Sequence, residues 1–112
     1  MRLHPEEFGA PADCTSEIEK LLKSNDEIDV WFMVPSEQLA VEVKSVRSND
    51  LDLSRGIFQC VKYKAVLEAE ARCAGSTPTI RTLLVSEKPL PKECARQAEL
   101  LGIRVQVIDP LS

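Results

Sequence analysis

Hydrophobic and polar residues alternate with the period of a β-strand in the second quarter of this chain. Residues 27–34 are rich in β-branched and aromatic side chains, and residues 39–45 alternate between apolar and polar positions. The intervening residues 35–38 have the composition of a turn. In the second segment, Ala40, Glu42 and Lys44 lie on the face opposite Leu39, Val41 and Val43. This pattern predicts an antiparallel β-hairpin.

The residues before the hairpin have a different spacing. Their apolar side chains recur at intervals of three and four, as Ile18, Leu21 and Leu22. Either Thr15 or Ser16 is suited to cap a first turn. We therefore expect a short helix over residues 15–24.

A long helix is expected after the hairpin. Asp52 or Ser54 is suited to cap its first turn, and it should run to about Cys73, just before Gly75. Apolar residues recur along it at helical spacing and should form its buried ridge: Phe58, Val61, Ala65, Ala69 and Cys73.

Two more strands and one more helix complete the pattern. Residues 79–86 are typical of a buried strand, a helix should begin at Pro91 and end at Gly102, and residues 103–108 alternate as a last strand. The predicted order is (α)ββαβαβ. It indicates an α/β domain over residues 14–112, with a mixed central sheet, an antiparallel hairpin and crossover helices. Residues 1–13 contain two prolines and a glycine and are expected to be irregular.

Composition narrows the class of protein. The chain has 112 residues and a net charge of −4, which argues against a protein that coats nucleic acid. The charge is uneven, because residues 1–40 hold three basic and nine acidic side chains, whereas residues 41–112 hold eleven basic and nine acidic ones. Residues 44–64 alone hold five basic and two acidic side chains, so this segment could contact phosphates.

Neither a membrane segment nor a zinc site is expected. No apolar run approaches the roughly 20 residues that span a bilayer, and the first residues lack an apolar signal segment. We therefore expect a soluble cytoplasmic protein. The four cysteines include no C-x-x-C pair, which argues against structural zinc.

The hairpin carries the candidate chemistry. Glu42 and Lys44 project from the same side of a strand. The side on which Asp29 lies depends on the register of the hairpin. If the numbers of two residues paired across it add up to an odd number, Asp29 lies on the side of Glu42 and Lys44; if the sum is even, it lies on the other side. A turn centred near Ser36 and Glu37 would place Asp29 opposite Lys44 and diagonal to Glu42. Two carboxylates that converge in this way repel unless a cation lies between them, and hard oxygen ligands suit Mg²⁺ or Mn²⁺.

These residues resemble a known signature. Asp29, followed after twelve residues by Glu42-Val43-Lys44, resembles the motif of the PD-(D/E)XK, or restriction-endonuclease-like, nuclease superfamily. The resemblance implies a restriction-endonuclease-like fold and a metal-dependent nuclease that hydrolyses phosphodiester bonds in DNA. In it, Asp29 and Glu42 would hold Mg²⁺ (or Mn²⁺), and Lys44 would serve the attacking water. Gln59 and Tyr63 are similar to the Q-x-x-x-Y helix of RecB-like nucleases, where these residues contact the site or the nucleic acid.

The resemblance also extends to less specific residues. Members of the family have a helix acid before the first signature strand, and Glu17 or Glu19 could fill that role as a third metal ligand. Arg55 and Lys62 are expected to contact the DNA backbone. The chain departs from the family in having Ile28 rather than proline before the first acid, and it is short, so it is either a minimal domain or part of a larger parent chain. A homodimer would suit cleavage of both strands of a duplex.

Two alternatives stay open. The first is a catalytically silent domain of the same fold, which acts in nucleic-acid binding or protein assembly. The second is an unrelated α/β binding module, which predicts that Asp29 and Glu42 lie on opposite faces of the hairpin.

Overall fold

A single mixed β-sheet organises the part of the chain that the structure describes, which is residues 14–22 and 27–108 of a computed structural model. Its strands lie in sequence order: β1 (Thr15–Leu21), β2 (Glu27–Val34), β3 (Glu37–Lys44), β4 (Thr79–Ser86) and β5 (Arg104–Val107). The first three strands pair antiparallel, and the last three pair parallel. The expected mixed sheet with an antiparallel hairpin is therefore confirmed.

Two helices in the described ranges connect the parallel strands. Helix α1 (Asp50–Cys73) leads from β3 to β4, and helix α2 (Lys92–Leu100) leads from β4 to β5. Both pack on the same face of the sheet, because Leu53 and Ile57 of α1 form one buried cluster with Cys94 of α2 and Leu84 of β4. Neither helix is long and apolar enough to cross a bilayer.

The first predicted helix is wrong, because residues 15–21 form β1. Thr15 and Ser16 pair with Met33 and Phe32 of β2 instead of capping a helix. The helical spacing of the apolar residues is outweighed by backbone pairing with β2, an interaction that local spacing does not report. The end of the predicted helix, at residues 23–24, and the expected irregular segment, residues 1–13, lie outside the described residues.

Helix α1 begins earlier than expected. Its cap is Asn49, whose side chain accepts a hydrogen bond of 2.8 Å from the backbone N–H of Asp52. The Asp52 carboxylate accepts one of 3.2 Å in return from the backbone N–H of Asn49, which completes a capping box. Asp52 is thus the third helical residue and not the cap, and Ser54 donates from within the helix to Gln97 of α2.

The predicted buried ridge of α1 is also wrong, because most of it faces outward. Phe58 is 54% exposed, and Val61 is 40% exposed. The face that packs on the sheet holds a different set of residues: Leu53, Gly56, Ile57, Cys60, Tyr63, Leu67 and Ala71. Both sets recur at helical spacing, so contacts with the sheet decide which face is buried.

The opposite face of the central strands is buried as well. It holds an apolar cluster made by three strands: Val30 and Phe32 of β2, Leu39 and Val41 of β3, and Leu83 and Val85 of β4. Because β3 is buried on both faces, a polar side chain on it must find partners within the protein. Glu42 is such a side chain.

Candidate active site

The register of the β2–β3 hairpin places the two signature carboxylates on one face of the sheet. Pairing runs from Val34–Glu37 next to the turn to Val30–Val41, so every pair of residue numbers has an odd sum, as expected. Continued by one residue, this register puts Asp29 across from Glu42. The unrelated binding module predicted opposite faces and is contradicted on this point.

The detailed pairing differs from the expectation. The turn consists of Pro35 and Ser36 and lies one residue earlier than predicted. Asp29 is therefore opposite Glu42 and diagonal to Lys44, whereas the reverse was predicted. Moving the turn by one residue changes the sum of each pair of residue numbers by two. The sum therefore stays odd, and Asp29 and Glu42 stay on the same face.

Asp29 is held in place by the backbone of β3. Its Oδ2 accepts a hydrogen bond of 2.8 Å from the N–H of Val43. This bond lies just beyond the last backbone pair of the two strands, Val30–Val41. The Asp29 carboxylate therefore points toward β3 and toward the side chain of Glu42.

Glu42 is the buried acid of the site. It is 6% exposed, and each of its oxygens contacts a different partner. The Tyr63 hydroxyl donates to Oε1 at 3.1 Å, and the Nζ of Lys44 lies 3.4 Å from Oε2. Strand β3 and helix α1 thus meet through this carboxylate.

The environment of Glu42 raises its pKa to about 7. Burial is the main cause, followed by the charge of Asp29 and a hydrogen bond between the two carboxyl groups. Lys44 and Tyr63 act in the opposite direction, and they do not offset the first three effects. The two carboxyl groups are thus close enough to disfavour simultaneous ionisation.

Lys44 reaches the carboxylates because α1 has a glycine beside it. A methyl group added at Gly56 would lie 2.9 Å from Cε of Lys44 and 3.1 Å from a methyl carbon of Leu84. The aliphatic part of Lys44 therefore occupies the space that any other residue at position 56 would take. Gly56 was not predicted to matter, although a glycine inside a helix costs about 1 kcal/mol and indicates close packing.

Helix α1 brings Tyr63 and Cys60 close to Glu42. Burial and the charge of Glu42 raise the pKa of the Tyr63 hydroxyl well above its ordinary range, so this group stays a hydrogen-bond donor. Burial, followed by the charges of Glu42 and Asp29, raises the pKa of the Cys60 thiol to about 12. Cys60 was not predicted to be near the site, and its neutral thiol lies near the two carboxyl groups.

Gln59 carries a buried oxygen without a partner. Among the described residues, its Oε1 is one of two buried side-chain atoms for which no hydrogen bond is found. Such an atom costs about 1–3 kcal/mol relative to a satisfied one. An oxygen in this condition, on the helix that supplies Tyr63, is suited to accept a hydrogen bond or to bind a cation.

The two candidates for a third acid lie on β1, which is a strand rather than the expected helix. Glu17 pairs with Trp31, is exposed, and has its Oε2 3.9 Å from the Nζ of Lys20. Glu19 is exposed and has a backbone φ of 56°, in the left-handed region. Within residues 14–22 and 27–108, no group of three or more His, Cys, Asp or Glu is arranged to hold a metal ion. The structure therefore does not bring Glu17 or Glu19 together with the carboxylate pair.

The two predicted phosphate contacts lie on the outer face of α1. Arg55 and Lys62 are exposed, and together with Phe58 and Gln59 they line one shallow depression. Gln59 thus borders this depression, and Tyr63 is one helical turn further along α1.

Taken together, the site consists of two facing carboxylates, one lysine and the Tyr63 hydroxyl. Its oxygens are hard donors of the kind that Mg²⁺ and Mn²⁺ prefer, and a cation between Asp29 and Glu42 would relieve their repulsion.

No protein-family model, no curated protein and no solved structure matches this chain.

Proposed function

We propose that this chain is a metal-dependent nuclease of the PD-(D/E)XK, restriction-endonuclease-like kind, which hydrolyses phosphodiester bonds in DNA. The observation that carries the proposal is the facing of Asp29 and Glu42, with Lys44 beside them, on one face of the sheet. The spacing of these three residues follows the family signature, and the strand order with its crossover helix agrees with the restriction-endonuclease-like fold.

The repulsion between the two carboxylates favours the binding of a cation. Burial and the charge of Asp29 raise the pKa of Glu42 to about 7 although Lys44 lies beside it, so an ionised Glu42 is disfavoured and a further cation would stabilise it. Asp29 and Glu42 would hold Mg²⁺ or Mn²⁺, and Gln59 Oε1 has the chemistry of a third oxygen donor. When bound, the cation would neutralise the pair and polarise the phosphate.

The remaining residues divide the work of binding and proton transfer. Lys44 Nζ would orient the attacking water and stabilise negative charge on the phosphate. Tyr63 fixes the carboxylate of Glu42 through its hydroxyl. Arg55 and Lys62 would bind phosphates of the substrate backbone, and they would do so without reading its sequence.

The test is cleavage of single-stranded and double-stranded DNA in the presence of Mg²⁺ or Mn²⁺. We expect cleavage by the wild type that requires the cation and is lost in Lys44→Ala. Lys92→Ala is the matched control, because Lys92 is an exposed lysine at the start of α2 and should be dispensable. Cleavage that persists in Lys44→Ala would contradict the assigned role of the lysine.

A catalytically silent domain of the same fold is the second candidate, and one observation favours it. The carboxylate oxygens already contact protein groups: Asp29 accepts from Val43, and Glu42 contacts both Tyr63 and Lys44. A proton shared by the two acids would complete this network without a cation. Such a domain would cleave neither DNA nor RNA and would gain no thermal stability from Mn²⁺, whereas a nuclease gains it.

A further inference from the structure

Helix α1 exposes an aromatic ring between two cationic side chains. Arg55, Phe58, Gln59 and Lys62 follow one another at intervals of three, one and three residues, so they share one face of the helix. These four residues line the same open depression. We call this surface the Phe58 platform.

Phe58 differs from the other aromatic residues that the structure describes. Trp31, Phe32 and Tyr63 are all buried, whereas Phe58 is 54% exposed. A phenylalanine that is half exposed gains only part of the stabilisation that full burial would give. Because Phe58 contributes little to the core, the fold does not account for an aromatic ring at this position.

The platform and the carboxylate site share helix α1. Gln59 belongs to the platform and follows Phe58 directly, and Tyr63 is one helical turn further on and donates to Glu42. Phe58 and Tyr63 are separated by about 7–8 Å along the helix axis and by roughly 140° around it. A nucleic-acid strand with one phosphate at the carboxylate pair would therefore pass around α1, across Gln59, to place another nucleotide over Phe58.

The charges around the ring favour a polyanion over an apolar protein segment. Arg55 and Lys62 flank Phe58 on the helix surface, and residues 44–64 hold five basic side chains against two acidic ones in a chain whose net charge is −4. A ring flanked by cations is the combination that binds single-stranded nucleic acid, because bases stack on the ring while phosphates contact the cations.

We propose that the Phe58 platform binds unpaired nucleotides and makes single-stranded DNA the preferred ligand of this chain. The base of an unpaired nucleotide stacks on the ring of Phe58, and the flanking phosphates contact Arg55 and Lys62. In a duplex both faces of each base are covered by neighbouring bases, so the ring has no base to stack on. The proposal rests on the proposed function for one step only, the delivery of the strand to the carboxylate pair.

Binding measured without a divalent cation tests the proposal. The experiment follows the fluorescence anisotropy of a labelled oligodeoxynucleotide, single-stranded or as a duplex, with the full chain in EDTA. We expect tighter binding of the single strand and a weakening of roughly 5- to 100-fold in Phe58→Ala. Phe58→Trp keeps an aromatic face and should bind as the wild type does.

Two further variants separate stacking from other effects. Phe58→Leu keeps an apolar side chain without a ring and should resemble Phe58→Ala. Val61→Ala removes an exposed apolar side chain of the same helix that lies outside the platform, and it should bind as the wild type does. Because Phe58 is exposed, its substitutions should leave the unfolding temperature almost unchanged.

The proposal is overturned if the duplex binds as tightly as the single strand, or if Phe58→Leu binds as the wild type does. The latter outcome would show that DNA binding does not depend on stacking against the ring. The nuclease proposal and the platform proposal can be refuted separately. A chain that binds single strands through Phe58 and cleaves no DNA refutes the nuclease and keeps the platform. A chain that cleaves single-stranded and double-stranded DNA equally, and whose DNA binding is unaffected by Phe58→Ala, refutes the platform and keeps the nuclease.

Discussion

The carboxylate of Asp29 accepts a hydrogen bond of 2.8 Å from the backbone N–H of Val43, at the point where regular pairing of β2 with β3 ends. A side chain of one strand is thereby bound to the backbone of the next. This bond fixes Asp29 beside Glu42 and holds the two acids together, with Lys44 as the cationic group in contact with Glu42. The strain that results is the basis of the first prediction.

The metal-free protein should lose stability as the pH rises from about 4.5 to about 7. Glu42 has a pKa of about 7 in the folded state against an ordinary value of 4.5, mainly because it is buried. The folded state therefore binds a proton more tightly than the unfolded state does. The stabilisation is fully present below pH 4.5 and is lost as the pH passes through 7. The loss is on the order of 3 kcal/mol.

Urea unfolding at a series of pH values checks this prediction. Other acids also titrate, so the informative quantity is the difference between the wild type and Glu42→Gln. The variant should be the more stable protein above pH 7, and this advantage should disappear at pH 4.5. Glu68→Gln, at an exposed position of α1, should show no such trend. An advantage of Glu42→Gln that is independent of pH would contradict the account.

Substitution of Gly56 should impair catalysis more than folding. In Gly56→Ala, the new methyl group meets Cε of Lys44 at 2.9 Å, and the flexible lysine must move. Replacing glycine by alanine inside a helix contributes about 1 kcal/mol, which offsets the crowding. We expect an unfolding free energy close to that of the wild type and cleavage slower by roughly tenfold to a hundredfold.

A double-mutant comparison identifies the cause. If Gly56→Ala acts by displacing the lysine, it should have little further effect in a Lys44→Ala background. Additive losses in the double variant would show that Gly56 acts through something other than Lys44.

Gln59→Leu should stabilise the metal-free protein and weaken its function. The substitution removes a buried oxygen that has no hydrogen-bond partner among the described residues, which should stabilise the fold by about 1 kcal/mol. It also removes a proposed oxygen donor of the site, so metal-dependent cleavage should fall. Chemical denaturation and cleavage rates measure the two effects. A destabilised variant with normal cleavage would contradict both parts of this prediction.

The shared face of Asp29 and Glu42 could be predicted from the sequence, whereas several elements around them could not. The shared face of Asp29 and Glu42 depends only on the parity of the hairpin register, which a turn of two residues between alternating strands already implies. The exact partner of Asp29 depends on the position of that turn, and the turn was predicted one residue too late.

The misassigned elements have a common cause. Ile18, Leu21 and Leu22 have helical spacing, and Phe58, Val61 and Ala65 resemble a buried ridge. In both cases the decision depends on a distant partner, which is β2 for the first segment and the sheet face for α1. Such long-range contacts are not encoded in the spacing of neighbouring residues. The same limit applies to Gly56, whose role depends on the approach of Lys44.

A divalent cation should bind between Asp29 and Glu42, and thermal unfolding with and without Mn²⁺ measures whether it does. At about one hundred times its dissociation constant, a bound ion stabilises a protein by about 2.7 kcal/mol, which corresponds to an increase of several degrees in the unfolding temperature. We predict this increase for the wild type and for Glu99→Gln, an exposed acid on α2, and its loss in Asp29→Asn. An unfolding temperature that does not respond to Mn²⁺, or that rises equally in Asp29→Asn, would contradict the claim.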